Sequence, residues 1–288
     1  MPPARPHKHL VKPLARVAGL ALAAFAAVTG LLWGFQSRLI FLPATGVYEQ
    51  TPDAVGLDWR EVDLATADGE QLAGWFVPAP AARAPVILFL HGNAGDMQNR
   101  LGRIRALHDL GAAVLIIDYR GYGTSTGRPS ERGLERDSEA AWAWLTATAG
   151  YAPDRIIVHG RSLGAALAAR LAANHDPALL VLESAFTSLP ALAADVYPWL
   201  PARRLTAFAF DTAGALARSR CPVLVAHSAD DDIVPVHHGR TLAGIRPDDT
   251  TYIALDGGHN DRTLIAGTAF HDALHQSVTR LHRTGDDA

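Results

Sequence analysis

The chain of 288 residues has one cysteine, Cys221. That excludes an internal disulfide and removes the paired cysteine spacings of a zinc site, so no metal is expected. Charge is also scarce: 19% of residues are charged and the net charge is −3. The positive charge is concentrated at the start, where Arg5, Lys8, Lys12 and Arg16 stand without an acid in residues 1–16. Everything after them is therefore more acidic than the total, which excludes a basic nucleic-acid surface on the main body. Internal repeats and low-complexity linkers are missing as well. A chain of this length then suits one large domain with an appendage, because single cores stop growing near ~250–300 residues.

The appendage is a run without any charge. Residues 17–35 read VAGLALAAFAAVTGLLWGF, 19 residues that as a helix reach about 28 Å, close to the hydrocarbon thickness of a bilayer. A cleaved signal peptide and a buried soluble helix are the rival readings. A signal peptide's apolar core is shorter and ends in a small-x-small site, whereas this run closes with Trp33 and Phe35 and continues into Arg38 and LIFLP. The expected organisation is a basic N-terminus over 1–16, a transmembrane anchor over 17–36 and a main domain over 43–284. The four basic residues ahead of the span predict a cytoplasmic N-terminus and a catalytic domain outside the cytoplasm, periplasmic in a bacterium.

Within the main domain, REVDLATADGEQLAGWFVP predicts two antiparallel strands around the Asp68-Gly69 turn. Continuous apolar runs then alternate with helical stretches: VILFLHG, AAVLIIDY, RIIVHG, ALLVLES, CPVLVAH and TTYIALDG. Strands apolar throughout are buried on both faces, as in a parallel sheet covered by helices. The last helix is expected to end near Arg283. The alternation breaks between Ser184 and Cys221, a stretch too long for a plain connection. A lid insertion at about 187–220 is expected, with Tyr197, Trp199, Phe208 and Phe210 either roofing a site or packing onto the body.

Gly-x-Ser-x-Gly occurs twice, as GTSTG at 123–127 and GRSLG at 160–164. The pattern is weak alone, and the flanks separate the two. RIIVHG runs directly into Ser162 and AALAARLAA follows at once, which puts Ser162 on a strand-to-helix turn whose sharpness needs Gly160 and Gly164. Ser125 is separated from its strand by RGYG and followed by GRPSERG, so it reads as a loop residue. A serine nucleophile requires a base oriented by an acid, expected in the order serine, acid, histidine at later strand ends. His259 in IALDGGHND follows the last strand, and Asp230, Asp231 and Asp232 follow the one before it. Oxyanion donors are expected from the backbone N–H of Leu163 and of Asn93 in HGNAG. His91 and Gly92 of that turn are read as support beneath the site, and His237 and His238 as surface residues at a helix start.

The segments HGNAG, DYRGYGTSTGRPSERGLERD, GRSLGAALA, ESAFTSL, PVLVAHSADDDIVP and GGHND, spread over about residues 60–262, resemble the BEM46-like group of α/β-hydrolase-fold serine hydrolases, membrane-anchored relatives that include the mammalian ABHD-type proteins. The resemblance implies an α/β-hydrolase fold: a mostly parallel eight-stranded sheet flanked by helices, with a short lid insertion and here an N-terminal transmembrane helix. It also implies a triad of Ser162, Asp231 and His259. Asp231 is selected by the group's His-Gly-x-x-Asp-x-x-Val-Pro pattern, from which this chain departs with Ser228 in place of glycine. Asp230, Asp232 and Glu183 stay as alternative acids. The activity so implied is hydrolysis of a lipid-like carboxylic ester or thioester without a cofactor. The alternatives are a serine aminopeptidase-like enzyme, for which Asp195 and Asp211 in the lid are the hints of an amine-binding pocket, and a non-catalytic membrane-tethered scaffold.

Overall fold

Short, wholly apolar strands determine the centre of the molecule. The computed structural model describes residues 8–286 apart from 82 and 262; Arg5, part of the expected basic N-terminus, lies outside the described residues. The main sheet contains β2 (Arg60–Ala65), β3 (Gln71–Val77), β4 (Val86–Leu90), β6 (Ala113–Ile117), β7 (Ile156–Arg161), β8 (Leu179–Glu183), β9 (Val223–Ser228) and β10 (Thr250–Leu255). Its eight strands run in the order β10-β9-β8-β7-β4-β6-β3-β2. All neighbours are parallel except at one edge, where β3 is antiparallel to both β6 and β2. Every residue of β4, β6 and β8 is buried. The crossovers leave no other choice, because a parallel connection must carry a helix over one face.

Period-two alternation divides those strands between two cores. Val86, Leu88 and Leu90 of β4 face the core under α4 (Glu131–Ala143), α5 (Leu163–Asn174) and α8 (Thr212–Arg218). Ile87 and Phe89 face the opposite core under α3 (Leu101–His108) and α10 (Ala269–Asp286). Helix α10 continues to Asp286, past the expected end at Arg283.

At the N-terminus, α1 spans Lys8–Gly34, and its segment Arg16–Gly34 has a mean hydropathy of 1.9 with no residue of that window buried. A short helix α2 (Gln36–Ile40) and a two-residue strand β1 (Leu42–Pro43) follow. Strand β1 pairs in parallel with β5 (Ala94–Gly95), next to the HGN turn, so the exit from α1 is stitched to the loop after β4.

The excursion after β8 holds α6 (Leu189–Val196), α7 (Ala202–Leu205) and α8. Only some of the aromatics of this stretch pack onto the body. Tyr197 and Trp199 are exposed, while Phe210 is buried and both Phe208 and Phe210 meet Phe41 edge-on at 5.5 and 6.2 Å. Glu131 accepts the N–H groups of Ala209 and Phe210 at 2.7 and 2.5 Å, which returns the chain to the body before α8. Of the two histidines expected at the surface, His238 is instead buried, because α9 (His237–Ala243) turns its second residue toward the segment after β8.

Candidate active site

Ser162 sits between β7 and α5 with φ +53° and ψ −118°, a conformation that only a strained turn imposes on a residue with a side chain. Its N–H is held by the Glu183 carbonyl at 2.9 Å and its carbonyl accepts from Ala165 at 3.0 Å. The flanking glycines are required by contact rather than by φ. A Cβ on Gly160 would stand 2.3 Å from the Gly164 carbonyl oxygen, and one on Gly164 would stand 2.1 Å from that of Leu90. Leu163 opens α5, so its N–H is one of those a helix N-terminus leaves without an intrahelical acceptor. The loop after β4 abuts the turn: a Cβ on Gly92 would lie 3.5 Å from that of Ser162. Asn93 is oriented there through its side-chain carbonyl, which accepts from the Leu42 N–H at 3.3 Å and the Tyr122 hydroxyl at 3.1 Å. His91 is fully buried, its Nδ1–H donates to the Gly92 carbonyl at 2.7 Å, and its own carbonyl accepts from the Tyr119 hydroxyl at 3.0 Å.

The Ser162 hydroxyl lies 3.1 Å from His259 Nε2, and His259 Nδ1 lies 2.8 and 3.0 Å from the two Asp231 oxygens. Asp231 Oδ1 also accepts the N–H groups of Ile233 and Val234, at 3.0 and 2.7 Å. Burial would raise its pKa, but hydrogen bonding with His227 and His259 and the Val234 N–H outweigh it and hold the carboxyl well below the usual carboxylate range. The other candidate acids have different partners. Asp232 accepts the backbone N–H of His259 at 2.9 Å and so fixes its main chain, while the Asp230 N–H is capped by Ser228.

Glu183 anchors a buried network beneath the site. It is 2.8 Å from Arg103, 2.8 Å from His159 Nε2 and 3.3 Å from Arg161 Nε, and it accepts from Thr263. Arg161 in turn donates to the His259 carbonyl. Burial would raise the Glu183 carboxyl, yet Arg103, His159 and Arg161 hold it well below the usual range. This pattern makes Glu183 a support of the histidine loop. Its role is invisible in the sequence because Arg103 of α3, Arg161 of β7 and Thr263 of the loop after β10 meet at the end of β8 only in the folded chain.

Ser125 stands apart. Its hydroxyl accepts the Ala73 N–H at 3.0 Å and donates to the Asp118 carbonyl at 2.8 Å, joining β3 to the loop after β6.

A cavity of about 780 Å³ opens above Ser162 and His259, lined by α6, α7 and the region of α1 and α2. Beside it Asp195 of α6 faces His237 and His238, its Oδ2 lying 3.0 and 2.9 Å from their Nε2 atoms. These three side chains are a candidate metal ligand set among the described residues, one that cysteine spacing could not disclose. The tautomer opposes that use. His238 Nδ1 faces the Thr187 N–H at 3.2 Å, which leaves Nε2 as the protonated nitrogen directed at Asp195. Burial and the neighbouring His237 hold the His238 ring below the ordinary histidine pKa. The group joins α6 to α9. Asp211 likewise is occupied, capping α8 through the Gly214 N–H at 2.9 Å.

The α/β-hydrolase fold family matches residues 85–202. The chain is 41% identical over 265 residues to an uncharacterised protein of Mycobacterium tuberculosis, covering 91% of this chain and 94% of that one. The protein therefore belongs to the α/β-hydrolase family. Two further relatives place it in the BEM46-like group: bem46 of Schizosaccharomyces pombe, 32% identical over 76% of this chain and 78% of that protein, and human alpha/beta hydrolase domain-containing protein 17B, 30% identical over 78% and 84%. Among solved structures, an esterase from Pyrococcus furiosus superposes with a TM-score of 0.69 at 19% identity, covering 83% of this chain and 98% of that one.

Proposed function

We propose that the protein is a membrane-anchored serine hydrolase that cleaves a carboxylic ester or thioester through an acyl-enzyme. The observation that carries this reading is the continuous line from the Ser162 hydroxyl to His259 to Asp231, at 3.1 and 2.8 Å. With Nδ1–H donating to the Asp231 carboxylate, Nε2 presents its lone pair to the serine O–H. Ser162 Oγ attacks the acyl carbonyl carbon as its proton moves to His259. The carbonyl oxygen takes the negative charge and is received by the N–H groups of Leu163 and Asn93. His259 then gives that proton to the departing alcohol or thiol. Water, deprotonated by the same ring, hydrolyses the acyl-serine ester and releases the acid.

The peptidase alternative loses its support, since Asp195 is paired with two histidines and Asp211 is spent on a helix cap. In this reading the apolar stretch of α1 after Arg16 is the anchor, with the basic residues of its first turns on the cytoplasmic side and the catalytic domain on the other. The test is fluorophosphonate labelling of the full chain, with turnover of p-nitrophenyl esters, for wild type and Ser162→Ala. Labelling and turnover lost together with Ser162 are expected. A folded wild-type protein that neither labels nor turns over ester would favour the scaffold reading instead.

A further inference from the structure

The wall of the cavity above Ser162 is built in part from the helix that reads as the membrane anchor. Thr29 and Leu32 of α1 and Leu39 of α2 line it opposite Leu192, Val196 and Leu205 of the lid, with Ser162 and His259 at its base. Two hydrogen bonds hold the two sides together. The Gln36 side-chain amide donates to the Leu205 carbonyl at 2.9 Å, and its oxygen accepts the Ala207 N–H at 2.8 Å. The same segment is pinned on its other flank by the pairing of Leu42 and Pro43 with Ala94 and Gly95, beside Asn93.

The position of the lining residues along α1 matters. Thr29 precedes Gly34, where the helix ends, by more than a turn, about 7 Å of helix rise, so the cavity extends alongside the apolar span rather than stopping at its end. Around this opening the surface is apolar on both sides. Trp33 and Leu42 on the anchor side and Tyr197 and Trp199 on the lid side are exposed large hydrophobics. Tryptophan and tyrosine are the residues that settle at a membrane–water boundary, and a patch of this kind continuous with a membrane span fits a bilayer surface.

We infer that the anchor helix is a wall of the substrate cavity, which opens toward the bilayer, so that Ser162 acts on a long acyl chain that remains in the leaflet while its scissile carbonyl reaches the boundary. This deepens, and rests on, the ester or thioester hydrolase reading above: it identifies the substrate class as a membrane-resident amphiphile, and it gives residues 29–42 a part in selecting it. Gln36 acts as the positioning residue that keeps the lid and anchor sides of the cavity in register.

The test uses the full chain in phospholipid nanodiscs and two fluorophosphonates, an ethyl probe and a hexadecyl probe with a diazirine midway along its chain. Both are expected to label Ser162. Irradiation should then crosslink the hexadecyl chain to residues of segment 29–40, read by mass spectrometry. Crosslinks confined to the lid or the body, or labelling by the ethyl probe but not by the hexadecyl one, would overturn the inference and leave the hydrolase reading intact. Labelling of Ser162 by neither probe would overturn the hydrolase reading itself. Leu32→Trp narrows the cavity from the anchor side and should lower the ratio of hexadecyl to ethyl labelling rates by about tenfold; an unchanged ratio counts against the wall.

Discussion

Ser125 and Ser162 share a five-residue pattern and differ in what their hydroxyls meet. The first joins two backbone groups, Ala73 N–H and Asp118 carbonyl, and the second faces His259 Nε2. Ser162→Ala should lower ester turnover on the order of 10⁴-fold or more while leaving the urea midpoint unchanged or raised. Ser125→Ala should do the opposite, costing about 1–3 kcal/mol of stability through the unpaired Ala73 N–H while turnover persists. In the proposed mechanism Asp231→Asn preserves the shape of the triad but not the charge that orients and stabilises the protonated His259. A fall in kcat of about 10⁴-fold is expected, and a variant within tenfold of wild type would remove Asp231 from the mechanism.

At the scale of elements, the site depends on loops held by charges from neighbouring strands and helices. The contact of Asp195 with His237 and His238 is a polar tie of α6 to α9. Asp195→Asn removes its charge, and hydrogen exchange should speed up in residues 189–205 while that of α5 stays as it was; equal rates in α6 would show that apolar contacts alone hold the lid. Beneath Ser162, His259 and Asp231, Glu183 gathers β7, β8 and α3 under the His259 loop. Its carboxyl is held below the usual range in the folded protein, so the stability it contributes is complete above the unfolded carboxylate pKa of about 4.3 and is lost as pH falls below that value. His159 works in the same direction from higher pH. Burial depresses its ring, so the unfolded chain takes up the proton first, from about pH 6.5 downward. Denaturation midpoints followed from pH 7 to 3 should therefore decline in two stages. Glu183→Gln should flatten the lower one, and an unaltered lower stage would show that the network is not the acid-sensitive part.

A catalytic domain beyond the membrane from the basic N-terminus requires that a membrane-impermeant fluorophosphonate label Ser162 in intact cells. Labelling that appears only after lysis would reverse the topology. The N-terminal helices are joined to the domain by Gln36, by the β1–β5 pair and by the contacts of Phe41, so their loss should disturb more than the proposed anchoring. Truncation before Pro43 removes Gln36, Phe41 and Leu42, and the exposed lid aromatics Tyr197 and Trp199 keep their apolar faces without the helix beside them. Such a chain should be less soluble and melt lower than the full chain in nanodiscs, a comparison open to thermal shift.

The amino-acid sequence by itself determined what depends on neighbours along the chain. Apolar runs interrupted by helical stretches specified a parallel sheet, since a strand buried on both faces has no polar residue to spare. Strand, glycine, serine, glycine and a run of alanines specified the turn that carries Ser162, since that backbone forbids a Cβ at either glycine. The positions of His259 and Asp231 after successive strands were legible for the same reason, strand ends being places that the order of elements controls. What only the tertiary structure decided depends on residues remote in sequence. Glu183 with Arg103 and Arg161, His238 buried against Asp195, and Gln36 clasped to Leu205 and Ala207 each involve side chains whose local patterns read as an ordinary strand end, a helix start or a flank of the membrane span. No periodicity encodes those meetings, because they are set by how the sheet, the excursion after β8 and the N-terminal helices pack rather than by any one of them.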